Sequence, residues 1–124
     1  VFVFVSGLFG GFSTWWIPYL YIWAVLWGAV MLLPKNMPAK LQPVIYMLVC
    51  GLHGLLYGTL YAPFQAIAFG LNFDGMVAWI LAGLPYDMIH GVSNLLCGVL
   101  IMPIVAALRL AERNSERQLW KFPE

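Results

Sequence analysis

Long apolar runs leave this chain few folds to choose from. No acidic or basic side chain occurs before Lys35, and apolar runs cover residues 1–12, 17–33, 41–61 and 85–108. Pro, Gly, Lys and polar clusters separate them. A helix needs about 20 residues to cross the hydrocarbon layer of a bilayer. The third and fourth runs meet that length and the second nearly does. The first is too short and has neither a starting Met nor a basic flank. It reads as the remaining half of a spanning helix and not as a signal peptide, so N-terminal helices are expected to be missing. Of all residues, 63% are hydrophobic and 9% charged, with a mean hydropathy of +0.87. A water-soluble domain has no use for that much apolar surface. The expected fold class is therefore an all-α membrane protein, a single domain over 1–124 built as a bundle of about four transmembrane helices.

Charge orients the bundle. The loop Pro34-Lys35-Asn36-Met37-Pro38-Ala39-Lys40 carries two lysines and no acid, and the segment 109–117 carries three arginines. Excess Lys and Arg mark cytoplasmic loops, so both belong inside, and 109–124 is expected to form a cytoplasmic tail. The runs 41–61 and 85–108 then leave and return, with 62–84 outside. Pro63, Gly70, Asn72 and Gly75 break that outer segment. Asn72 or Asp74 is expected to cap a short helix through Trp79 to Ala82, lying over the outer face as a gate. The competing reading makes 63–84 a fifth span. Arg109–Glu112 and Arg113–Glu116 are i,i+3 pairs of a solvated helix.

The formal net charge of +1 suggests no nucleic-acid partner. Cys50 and Cys97 sit in separate apolar runs, far from a CxxC pattern. They read as small core residues, with a disulfide or metal site the lesser alternative. HExxH, GxSxG and P-loop patterns are absent, so no enzyme is expected, and no cofactor or metal.

Polar residues inside apolar helices are expensive and mark function by default. At 100° per residue, Asp87, Gly91, Asn94 and Gly98 fall in one narrow arc with His90 at its edge. Asp87 and Asn94 are about 10 Å apart along the axis. That suits one small ligand, with the glycines giving a ring room to approach. The structural alternative places Pro85 at the first helical position and Asp87 in the first turn, complementing the dipole, with Asn94 tying two helices together. In 41–61, Tyr46, Cys50, His53, Tyr57 and Tyr61 share one face. Gly51, Gly54, Gly58 and Ala62 share the next, a surface for close helix packing. Tyr57 and Tyr61 lie level with Asp87 and His90 and can cage the same ligand. His53, one turn deeper, is as well suited to an interhelix hydrogen bond. Trp15, Trp16, Tyr19 and Trp23 fit an interfacial aromatic belt, or one or two of them wall an outward pocket.

The segment Ala82-Gly83-Leu84-Pro85-Tyr86-Asp87-Met88-Ile89-His90-Gly91-Val92-Ser93-Asn94 resembles the last-helix segment of the substrate-binding S components of energy-coupling factor (ECF) vitamin transporters. Many members show Gly-x-Pro-Phe-Asp-x-x-His-x-x-x-Asn, with Tyr86 here in place of Phe. About a dozen residues match at motif level, while helix order agrees over most of the chain. The family has six spans, of which this chain would hold the last four.

The resemblance implies a multi-pass subunit of the cell membrane that captures a vitamin-like ligand outside with high affinity. It would deliver that ligand inward together with an energy-coupling transmembrane subunit and two ATPase subunits. Asp87, His90 and Asn94 would be pocket residues and 62–84 the gate. With them, Tyr57, Tyr61, Trp79 and Tyr86 are expected to contact the ligand ring and Gly91 to leave it space. The alternative function is a small helical scaffold subunit of a membrane complex with no transported ligand.

Overall fold

The computed structural model describes residues 1–119. Helix α1 (Phe2–Gly10) turns at Gly11 into α2 (Trp16–Met31). The lysine loop follows. Then come α3 (Gln42–Leu55), α4 (Tyr57–Phe69), α5 (Phe73–Cys97), one 3-10 turn at Gly98–Leu100 and α6 (Ile101–Leu119). Among the described residues there is no strand.

The elements α3 to α6 make one antiparallel hairpin. Helix α4 follows α3 with only Leu56 between them, and the 3-10 turn joins α5 to α6 without a loop. Gln42–Phe69 and Phe73–Glu116 are thus two helical stretches of 28 and 44 residues, both long and apolar enough to cross a membrane. At 1.5 Å per residue the shorter is roughly 42 Å long. Gly70 ends α4 in the left-handed region at φ 64°, where only glycine enters without steric penalty. Two residues later Asn72 restarts the chain, its side-chain oxygen accepting the Gly75 N–H at 2.8 Å. This is the N-cap expected of Asn72.

The hairpin overturns two sequence expectations. Residues 62–84 do not form a separate short gate helix. The only break between α4 and α5 is at Gly70–Asn72, so 62–69 prolong the first arm and 73–84 begin the second. A turn in the middle of 63–84 also rules out a fifth span there. Further, Pro85 does not start a helix. Asn72 supplies the N-cap more than a dozen residues earlier, and Pro85 lies inside α5. Asp87 therefore cannot owe its place to the dipole of its own helix. Tail residues from Arg109 stay helical as far as Leu119. The last part of the expected 109–124 tail, residues 120–124, lies outside the described residues.

The interior is thin. Ile22 and Ala62 are the buried hydrophobic residues, with Pro18 also enclosed, whereas Phe4, Leu20, Leu52, Ile67, Phe73, Ile89 and Leu96 are among the many exposed ones. Apolar exposure on that scale marks a surface that meets another apolar surface, lipid or protein. What holds the helices to each other is close backbone approach. A Cβ on Gly54 would come 2.7 Å from the His90 carbonyl oxygen, and one on Gly98 would come 2.8 Å from Met47 Cα. Gly51, Gly54 and Gly58 so form the small-residue seam expected of them, facing α5.

Candidate functional site

The seam decides where each polar side chain goes. Asp87 is 3% exposed. Its Oδ1 accepts the Gly58 N–H at 2.9 Å, and its Oδ2 is buried with no partner. Gly58 sits in the first turn of α4, where backbone N–H groups lack a partner within the helix. A carboxylate from another helix therefore caps a helix start. A Cβ at Gly58 would take the space of that carboxylate, which explains glycine at the position.

Asn94 and His53 are likewise spent on neighbouring backbone. Asn94 Nδ2 donates to the Cys50 carbonyl at a long 3.4 Å. His53, 6% exposed, places Nε2 3.0 Å from the Ile22 carbonyl on α2. These are the interhelix ties weighed against ligand contacts from the sequence. Gly91 and Gly98 face side chains of α3. A Cβ on Gly91 would run into the Leu55 side chain, and Gly98 faces Met47. Gly91 at the same time lines an apolar groove beside Leu55. Tyr86 is 70% exposed and stands apart from the rings described next. It lies one residue from Asp87, about 100° round the helix, so it faces away from the seam.

The expected aromatic set does converge. Tyr57 is the hub: its ring centroid is 5.3 Å from His90, 6.1 Å from Tyr61 and 6.3 Å from Tyr19. Tyr61 stacks on Trp79 at 5.8 Å and 20°. Tyr57, Tyr61 and Trp79 are half-buried, and His90 is exposed. Of Trp15, Trp16, Tyr19 and Trp23, Tyr19 is the one whose ring meets Tyr57. It also packs against Trp15 and Trp23. Trp16 instead donates to the Val3 carbonyl at 2.6 Å and braces α1. The sequence reading missed Tyr21, whose hydroxyl donates to the Leu60 carbonyl at 2.8 Å and ties α2 to α4. Nothing in its spacing sets it apart from Tyr19.

The grooves lie elsewhere. One of about 390 Å³ runs between α3 and α5, lined by Leu48, Leu52, Leu55, Val92 and Leu95 with Gly51 and Gly91. One of about 180 Å³ is lined by Trp23, Cys50, Asn94 and Cys97 among others. Both cysteines are free thiols. No cluster of three metal-ligating side chains occurs among the described residues. The site thus offers an aromatic wall edged by an imidazole, with a buried carboxylate behind it. Compared with protein-family models, curated proteins and solved structures, the chain has no match.

Proposed function

We propose that the protein is a membrane subunit that binds a small ring-bearing ligand, of the kind that S components of ECF transporters hand to an ATP-driven partner. The observation that carries this reading is the convergence of Tyr57, Tyr61 and Trp79 on His90. Flat rings from both arms of one hairpin offer a stacking surface, and the exposed imidazole donates or accepts according to its tautomer. The motif from Gly83 to Asn94 supports the same family. In this reading the ligand stacks on the wall, His90 fixes its polar groups, and the unpartnered Asp87 oxygen lies behind it. A vitamin-like compound fits, and an energy-coupling subunit with two ATPases would drive its release inward.

The reading also places the hairpin across the cell membrane. Antiparallel arms bring the lysine loop and the arginines of α6 to one end and the tip at Gly70–Asn72 to the other. The positive end belongs in the cytoplasm. In a cysteine-free background, a single cysteine at Leu71 should react with a membrane-impermeant maleimide on intact cells, while one at Arg113 should react only after permeabilisation. The reverse pattern would sink the orientation.

The single most direct test is mass spectrometry of the protein purified in mild detergent. A retained heteroaromatic compound at near-stoichiometric amount is expected. A second reading, a scaffold subunit without ligand, is favoured by one observation: Asp87, Asn94 and His53 all bond to backbone of neighbouring helices. A large co-eluting partner with no small molecule would choose it.

A further inference from the structure

We infer that Asp87 is a positioning residue: its one hydrogen bond to Gly58 latches a hinge that crosses both helices of the hairpin, and so sets the aromatic wall. Both arms are weakened at the same level. On one side Leu56 leaves helical geometry at φ −93°, ψ 2° and the helix restarts at Tyr57. On the other, Pro85 has no N–H to give the Leu81 carbonyl, so one rung of α5 is missing. The pairing of Gly58 with Asp87 puts these two defects side by side. Sharp bends in helices arise at such places, at proline or where a side chain enters the hydrogen-bond ladder.

Everything outward of that line is one arm, residues 57–84. It carries Tyr57, Tyr61 and Trp79, while His90 stays on the inner part of α5. The Tyr57–His90 contact therefore bridges the hinge, and the angle of the arm decides whether the wall is closed. Two polar ties hold the arm: Asp87 to Gly58, and Tyr21 to the Leu60 carbonyl. The first is the buried one. It gives Gly58, in the first turn of α4, the acceptor that its own helix does not supply.

The second oxygen shows that this carboxylate is not filler. Buried polar atoms are nearly always paired, yet Asp87 Oδ2 has no partner. Apolar packing at this position would carry no such penalty. The position retains an acceptor at that cost, and the only bond it makes is to the broken helix. The inference does not require a ligand, so it stands apart from the proposed function.

Hydrogen–deuterium exchange of the full chain in lipid nanodiscs tests it. Asp87→Ala should speed exchange of the amides at residues 57–60 at least tenfold and leave 46–52 unchanged. Asp87→Asn should stay within threefold of the native chain, because the amide oxygen still accepts from Gly58. Gly58→Ala, which keeps the acid but puts a methyl in its place, should match Asp87→Ala, and it decides the matter if Asp87→Ala unfolds. Unchanged exchange at 57–60 in Gly58→Ala, or Asp87→Asn as fast as Asp87→Ala, would overturn the latch.

Discussion

Gly54→Leu should abolish the folded hairpin, yielding aggregated material on size exclusion in detergent where the native chain runs as one peak. A Cβ at residue 54 comes 2.7 Å from the His90 carbonyl oxygen and 2.8 Å from Asn94 Nδ2. The first of these is backbone and cannot rotate away, so α3 and α5 must separate. Separation also withdraws Gly58 from Asp87 and Cys50 from Asn94, leaving a buried carboxylate with no donor. Overpacking alone costs roughly 1–3 kcal/mol, and a buried polar group left without its partner about 1–3 more. The sum approaches the low end of the stability of a typical domain, about 5–15 kcal/mol. Gly83→Ala is the matched control. It lies in the same hairpin with nothing within 4 Å of its Cβ position, and alanine is the better helix former by about 1 kcal/mol. If Gly54→Leu ran as a native peak, the seam would not be what holds the arms together.

The seam is legible in the sequence because glycine at 51, 54 and 58 repeats at helical spacing, which suits close helix packing. The aromatic pairing was legible for the same reason, since Tyr57 and Tyr61 are one turn apart and share a face. Asp87 was legible only as an anomaly. From sequence, Pro85 looks like a helix start, because proline suits a first turn and the residue before it tends to leave the helix. The competing signal, an Asn72 cap followed by residues that all tolerate helix, carried α5 straight through the proline.

That misplacement hid the role of the carboxylate. A first-turn Asp serves its own helix, whereas a mid-helix Asp facing Gly58 serves another. The break at Leu56 left no mark in the sequence at all. Leucine is a strong helix former, and nothing around it in the sequence marks residue 56 as the place where the helix breaks. A break that sits beside a tertiary contact 29 residues away cannot be read from a local window.

Tyr57→Ala should weaken retention of the ligand identified by mass spectrometry by about tenfold to a hundredfold, with the helical content unchanged. The ring meets Tyr19, Tyr61 and His90 at once, so its loss removes a stacking face and frees its neighbours to rotate. Aromatic pairs contribute about 0.5–1.5 kcal/mol each beyond their buried area. Losing two such contacts in the bound state corresponds to a factor near the stated range. Tyr86→Ala separates a ligand effect from a general one. That tyrosine is in the same motif and only one residue from Asp87, but it is 70% exposed and outside the ring cluster, so its removal should leave retention within twofold. Tyr57→Phe completes the set: it keeps the ring and drops the hydroxyl. Near-native retention in Tyr57→Phe would assign the binding to stacking, and loss equal to that of Tyr57→Ala would assign it to the hydroxyl. Should Tyr86→Ala prove the more damaging change, the ligand would lie on the outer face of α5, and the wall around Tyr57 would serve only to join the helices.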